Sequence, residues 1–126
     1  MFQATVENQG DSRSFATTAT SAFVVDTEGK GSHPMEALLA GQAACIAHHV
    51  VTWLRDHGMA NPGFSVSASG QLADDKSRIG SVAITASLER LVPCAAQRAQ
   101  LHEFVQRCPI YRTLKDACSV TLSLQG

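Results

Sequence analysis

Hydrophobic and polar residues alternate along several stretches of the chain, and this alternation predicts β-strands. A period of two puts successive side chains on opposite faces of a strand, so that one face packs on a core and the other meets water. Turns rich in Gly, Asp and Ser separate the stretches, which favours antiparallel pairing. The predicted strands cover residues 4–8, 14–25 (two short strands or one bent strand), 63–72, 79–91 and 117–124.

A second pattern predicts helices. The longest predicted helix runs from Pro34 to about His57, with a cap at Ser32 or His33 and an end at Gly58, because Pro suits a first turn and Gly a C-terminal cap. Two shorter helices are predicted at residues 93–107 and 109–115. Strands and helices in this order indicate an α+β fold, and 126 residues fit a single domain, residues 1–126.

The long helix carries no formal charge over the eighteen residues 37–54. A membrane span needs about twenty predominantly apolar residues, and Gln42, His48, His49 and Thr52 interrupt this stretch, so we expect a buried helix and no membrane span. At 1.5 Å per residue the helix is roughly 36 Å long, whereas a monomer of this size has a radius of gyration of about 14 Å. Because one monomer could hardly cover such a helix on all sides, a homodimer is predicted.

Composition and charge narrow the classes of function. Hydrophobic residues make up 44% of the chain and charged residues 17%, so it can bury a core. The net charge is −1 and the ten Lys and Arg residues are scattered, which argues against nucleic acid and acidic lipid as partners. Met1 is not followed by a basic segment and an apolar run, so no signal peptide is expected. Four cysteines in such a chain favour a reducing compartment, the cytoplasm.

Cys108 precedes Pro109 and is predicted to cap the last helix. Free backbone N–H groups and the helix dipole would then favour its thiolate and raise its reactivity. The alternative is an inert cysteine buried in a turn.

Cys45 lies in the middle of the long helix, with His48 and His49 at positions i+3 and i+4 on the same face. An imidazole there could take the thiol proton, or Cys45 could simply be a small core residue. A metal site built from Cys45, a histidine and Cys108 would lack one ligand, so no metal and no other cofactor is predicted.

Cys94 and Cys118 are expected to be packing residues. Cys94 follows Pro93 at a helix start, where the dipole could activate it mildly, and Cys118 lies in the last predicted strand.

Two motifs together resemble the OsmC-like family. The first is a Gly-x-x-Pro segment, an acidic residue and an Ala/Leu-rich helix with a Cys eleven residues after the Pro, here Gly31 to Cys45. The second is Cys-Pro-hydrophobic, then two or three residues, then Leu-Lys, here Cys108 to Lys115. The resemblance covers the whole chain and implies an intertwined homodimer, with antiparallel sheets packed around long central helices.

The resemblance also implies a chemistry. In its peroxidase branches the helix cysteine attacks an organic hydroperoxide and the Cys-Pro cysteine resolves the sulfenic acid as a disulfide, which assigns these roles to Cys45 and Cys108. A carboxylate directly after the motif proline holds an arginine over the sulfur in those branches. Met35 occupies that position here, so Glu36 and Arg13 are the candidates for the carboxylate and the arginine.

Three hypotheses follow for the function. The first is a cysteine-based peroxidase in oxidative stress defence, with a small apolar peroxide as substrate and a dithiol protein as reductant. The second is an OsmC-like module that binds an apolar small molecule without turnover. The third is a metal-binding protein that uses Cys45 and the two histidines. The peroxidase hypothesis further predicts that the Cα atoms of Cys45 and Cys108 lie no more than about 7 Å apart.

Overall fold

The computed structural model describes residues 1–88 and 90–125. It divides into two units, Met1–Ala40 and Gly41–Gly126. The strands are β1 (Thr5–Asn8), β2 (Arg13–Thr17), β3 (Ala22–Asp26), β4 (Ser65–Leu72) and β5 (Ile79–Ser87), and the helices are α1 (Pro34–Asp56), α2 (Ala95–Val105) and α3 (Pro109–Lys115). This α+β architecture with antiparallel sheets and a long helix confirms the predicted fold class.

The first unit contains a three-stranded antiparallel sheet in the order β1-β2-β3. Residues 14–25 therefore form two short strands, one of the two arrangements that the sequence left open. Gly10 turns the chain between β1 and β2 with a φ of 89°, a left-handed conformation that suits glycine.

The loop after β3 folds back against that strand. Ser32 donates its N–H to the Val24 carbonyl, and the Asp26 N–H donates to the Ser32 carbonyl, each at 3.0 Å. A Cβ on Gly31 would lie 2.6 Å from the Val24 carbonyl oxygen, so a larger residue would force the backbone to move. The motif glycine is therefore explained by close backbone approach.

Asp26 anchors this loop through a nearly buried carboxylate. It accepts backbone N–H bonds from Glu28 at 3.0 Å and Lys30 at 2.8 Å. These bonds, first of all that from Glu28, hold the pKa of Asp26 below its ordinary value.

We expect Asp26→Asn to destabilise the protein at neutral pH, because an amide binds two N–H donors less well than a carboxylate. A lowered folded-state pKa contributes stability that is present above the unfolded-state pKa and lost as the pH falls through the folded-state pKa. Urea midpoints measured from neutral pH to about pH 3 should therefore converge for the two proteins. Asp74→Asn, at an exposed turn, is the control and should leave the urea midpoint unchanged. If the urea midpoints of Asp26→Asn and wild type differ by the same amount at every pH, the lowered pKa of Asp26 does not contribute to stability.

The long helix α1 begins and ends where the sequence predicted. His33 caps its start, since the ring Nδ1 accepts the N–H of Met35 at 3.1 Å. Gly58 follows its end with a φ of 62°, and Met59 donates its N–H to the Leu54 carbonyl at 2.9 Å.

The second unit pairs β4 with β5 as an antiparallel hairpin, with Lys76 at φ 60° in the turn. Its buried core consists of Val50, Trp53, Leu54, Val92 and Leu101. Leu101 of this core is on α2, and Phe104 and Val105 of the same helix pack against the core, so one face of α2 is turned inward.

One face of α1 is buried in the single chain and another is exposed, so the single chain does not cover the helix on all sides, as its length predicted. The buried side chains are Gln42, Ile46, Val50, Trp53 and Leu54. Gly41, Ala44, His48 and Val51 form an exposed outer stripe at intervals of three and four residues. By length and composition α1 could cross a membrane, but this is weak support for a span, because core helices of other proteins pass the same test.

The predicted strand at residues 117–124 is wrong. Residues 118–125 pair with no strand in the described parts of the chain, 1–88 and 90–125. Val120, Leu122 and Leu124 are 85%, 87% and 92% exposed. Alternation favours an extended chain, but a strand also needs a neighbour to share its backbone hydrogen bonds.

The strand predicted at residues 79–91 is also shorter than expected. β5 ends at Ser87, because the chain then turns and the N–H groups of Leu91 and Val92 bond to the Leu88 carbonyl. Glu89 lies outside the described residues.

Candidate functional site

A disulfide joins Cys45 to Cys108, two residues separated by 63 positions in the sequence. Their Cα atoms lie 6.2 Å apart, within the predicted limit of about 7 Å, so the predicted proximity is confirmed. Cys45 is on α1 and Cys108 directly precedes α3. The fold therefore brings together the two thiols that the sequence motifs singled out.

The two sulfurs differ in exposure. Cys108 is the N-cap residue of α3, with Pro109 in the first turn, as the Cys-Pro pair predicted. It is completely buried, and within the described parts of the chain its side chain makes no capping hydrogen bond. Cys45 is half-buried. In a reduced protein of this geometry, Cys45 is the thiol that solvent or a small molecule reaches more easily.

His49 is the histidine beside the cysteines. A ring nitrogen of His49 and the two sulfurs all lie within 4.8 Å of one another. Its Nδ1 donates to the Cys45 carbonyl oxygen at 3.0 Å, so in the neutral ring the free lone pair is on Nε2. His48 is exposed, with its ring centroid 5.6 Å from that of His49. This geometry allows His49 to accept a proton or bind an ion at the thiols.

Gln42 is a residue whose role the sequence reasoning missed. It is only 5% exposed, and its Oε1 has no hydrogen-bond partner among residues 1–88 and 90–125. Lying three residues before Cys45 and seven before His49, it shares their face of α1. A buried acceptor without a donor costs free energy, and a donor from water, a bound ligand or a partner chain would remove that cost. In the sequence, Gln42 could have been noticed as the one amide side chain in the uncharged stretch 37–54 of the helix.

Arg13 and Glu36, the two other predicted site residues, lie in the first unit. Arg13 begins β2 and forms an ion pair with Asp11 at 2.8 Å. Bonding to Arg13 holds the pKa of Asp11 below its ordinary value, and the pKa of Arg13 is raised. Glu36 is exposed in the first turn of α1. Their approach to Cys45 stays a prediction.

The other two cysteines are not packing residues, which corrects that expectation. Cys94 and Cys118 are exposed and carry free thiols in the part of the chain that the structure describes. Cys94 caps α2, and the backbone N–H groups of Gln97 and Ala96 lower the pKa of its thiol, as the helix dipole argument predicted. Cys118 is exposed because the strand that would have buried it does not form.

A cavity of about 450 Å³ lies beside the disulfide-bearing helices in the second unit. Ile46 and Val50 of α1, Ile84 of β5 and Tyr111 of α3 are among the residues that line it. Its volume is in the range of small-molecule sites, and most of the exposed lining is apolar. Ile46 and Tyr111 follow Cys45 and Cys108 by one and three residues.

Comparisons with known proteins agree with the sequence motifs. The family of OsmC-like proteins matches residues 27–123. An OsmC-like protein from Mycoplasma pneumoniae has a similar structure, with a TM-score of 0.76 and 18% identity over 93% of this chain and 89% of that chain. An organic hydroperoxide resistance protein OsmC from Legionella pneumophila gives a TM-score of 0.64 and 16% identity over 91% and 89%. No curated protein matches the sequence.

Proposed function

The chain belongs to the OsmC-like family, and on that premise we propose that it is a cytoplasmic cysteine-based peroxidase that reduces organic hydroperoxides. The observation that carries this proposal is the Cys45–Cys108 disulfide, which joins the two thiols of the family motifs across 63 residues. Neither nucleic acid nor a membrane has a part in it.

The proposed cycle begins at Cys45, the more accessible thiol. Its thiolate attacks the terminal oxygen of the hydroperoxide, the O–O bond breaks, and the alkoxide leaves as an alcohol after taking a proton. Cys45 becomes a sulfenic acid, which the Cys108 thiol attacks to form the disulfide and release water. A dithiol partner then returns both cysteines to thiols by exchange, and itself becomes a disulfide.

His49 and the cavity support the first step. With Nδ1 donating to the Cys45 carbonyl, the neutral ring of His49 keeps the Nε2 lone pair as its proton acceptor, and a ring nitrogen of His49 lies within 4.8 Å of both sulfurs. The cavity has the volume and apolar lining for the alkyl part of a hydroperoxide. The Legionella protein of similar fold is named for resistance to organic hydroperoxides, but at 16% identity only the fold is transferable.

Thiol titration before and after addition of cumene hydroperoxide tests the proposal. A host protein with Cys94→Ser and Cys118→Ser leaves only the two motif thiols, so rapid loss of two thiols per chain is expected. If the thiols persist, the cavity favours the second candidate function, binding of an apolar small molecule without turnover. Fluorescence of Trp53 during titration with cumyl alcohol would then measure that binding.

We also expect the protein to be a homodimer. The outer stripe of α1, Gly41, Ala44, His48 and Val51, is exposed in the single chain, although three of its four residues are apolar or small. A second copy packed on this stripe would cover it. Sedimentation at micromolar concentration should give twice the chain mass, and a folded monomer there would contradict the prediction.

Ala44→Leu should destabilise that dimer by about 1–3 kcal/mol, because extra methyl groups overpack a close helix contact. In the isolated chain Ala44 is exposed, so the same substitution would cost little without a partner. The denaturant midpoint at several protein concentrations measures the effect. A matched substitution outside the stripe, Ala60→Leu in the exposed loop after α1, should leave the midpoint unchanged, and an unchanged midpoint for Ala44→Leu would exclude a close contact there.

A further inference from the structure

We propose that the reduced form of Cys45 and Cys108, together with His49, binds a zinc ion, and that disulfide formation releases it. The inference shares two thiols with the proposed function but does not depend on peroxide chemistry. Zinc would bind only the reduced site, because it needs both cysteines as thiolates. While bound, it would keep these thiolates from reacting.

The three donor atoms are close enough together to bind one ion once the disulfide is reduced and the sulfurs separate. Tetrahedral coordination with Zn–S of about 2.3 Å and Zn–N of about 2.0–2.1 Å puts the donors about 3.5–3.8 Å apart. The two sulfurs and a nitrogen of His49 lie within 4.8 Å of one another in the disulfide form. With the Cα atoms 6.2 Å apart, side-chain rotation after reduction can separate the sulfurs without a change of fold.

The hydrogen bond of His49 matches that of a metal ligand. Histidines that bind metals usually donate their second ring N–H to a carboxylate or a backbone carbonyl, which fixes the tautomer and the ring. His49 makes this bond to the Cys45 carbonyl, so its Nε2 lone pair is the one left for an ion. His48, exposed beside it, is not part of the cluster.

Gln42 provides the second, independent observation. A zinc ion held by three side chains keeps a fourth position for water, and that water needs an acceptor for its proton. The Oε1 of Gln42 is a buried acceptor without a partner in residues 1–88 and 90–125, on the same helix face as Cys45 and His49. In the proposed site a zinc-bound water would be the donor for this atom, which no donor in residues 1–88 and 90–125 bonds.

Oxidation removes the site because the disulfide consumes both thiolates. Two thiolates lose two electrons and form one S–S bond, while the zinc ion leaves without changing its own oxidation state. An organic hydroperoxide accepts the electrons with two protons and yields an alcohol and water. Diamide accepts two electrons and two protons in the same way, so it oxidises the site without peroxide.

Zinc titration of the reduced Cys94→Ser/Cys118→Ser protein, without oxygen and peroxide, tests the inference. We expect one zinc per chain, competed by a chromogenic chelator, and no retained zinc after diamide oxidation. His49→Gln should weaken binding at least about 10-fold, since even outer-shell losses cost 10–100-fold. His48→Gln is the matched control and should stay within about twofold. Equal affinities for the two histidine variants, or for the reduced and oxidised protein, would overturn the proposal.

Gln42 is tested by a pair of variants. Gln42→Leu should lower the affinity about 10-fold, whereas Gln42→Glu keeps an acceptor and should retain it. Cobalt titration of the reduced protein that keeps His49 and Gln42 is a second test, and it does not depend on whether the His49 and Gln42 variants fold. Thiolate-to-cobalt charge transfer and the visible bands of a tetrahedral ion are expected, and their absence would also overturn the proposal.

The two proposals fail separately. A chain that binds zinc when reduced but leaves cumene hydroperoxide intact contradicts the peroxidase function alone. A chain that consumes peroxide but retains no zinc contradicts this inference alone. Where both hold, zinc added before peroxide should slow the loss of thiols.

Discussion

Cys45→Ser is expected to abolish peroxide consumption, with a fall in kcat/KM of about 10³-fold or more, as for removal of other enzymatic nucleophiles. A thiol ionises near neutral pH and its thiolate is a strong nucleophile, whereas a serine hydroxyl needs a strong base to react. Cys45 is half-buried whereas Cys108 is fully buried, so the proposed cycle has the substrate react at Cys45.

The control for this variant is Cys108→Ser, because both substitutions remove the same disulfide and any cost of losing the cross-link is shared. Consumption of cumene hydroperoxide is followed with excess dithiothreitol as reductant. Cys94→Ser, which removes an exposed thiol outside the pair, should leave the rate unchanged. If Cys45→Ser retains the wild-type rate, Cys45 is not the attacking residue. If Cys94→Ser loses as much activity as is expected for Cys45→Ser, the attacking thiol is that of Cys94 at the start of α2.

The sequence predicted local structure best where local forces decide it. The Pro34 start and Gly58 end of α1 come from capping and backbone preferences, and the structure places the helix at Pro34–Asp56. The strand predicted at residues 117–124 shows the opposite case, in which distant contacts decide the structure. Its alternation is clear, yet residues 118–125 find no neighbouring strand in the described chain, because strand pairing is set by distant residues.

In the candidate site, too, some features follow from the local sequence and others only from the whole fold. Local reasoning favoured Cys108 as the activated thiol, since it precedes Pro109 at a helix start. Burial, a property of the whole fold, makes Cys45 the accessible sulfur instead. Helical spacing placed both His48 and His49 near Cys45, but only packing decides that His49 joins the sulfurs. The Oε1 of Gln42 has no hydrogen-bond partner among residues 1–88 and 90–125, and only the folded structure shows this.

In a single-turnover assay without added thiol, Cys108→Ser is expected to complete the attack on peroxide and then stop at the sulfenic acid. The Cys45 thiolate can still attack the hydroperoxide, so about one equivalent of peroxide per chain is consumed at a rate near that of wild type. Without the thiol of Cys108 the sulfenic acid has no internal partner. It persists, or it is oxidised further to the sulfinic acid by excess peroxide.

Mass spectrometry distinguishes these fates from the wild-type result. Wild-type protein should lose two hydrogens per chain on disulfide formation, whereas Cys108→Ser should gain one oxygen, or two with excess peroxide. Dimedone, which reacts with sulfenic acids, should label Cys45 in the variant. The Cys94→Ser/Cys118→Ser host excludes rescue by the exposed thiols. Sustained turnover of Cys108→Ser in that host would show that an external thiol resolves Cys45, and the buried Cys108 would then be a structural partner and not a catalytic one.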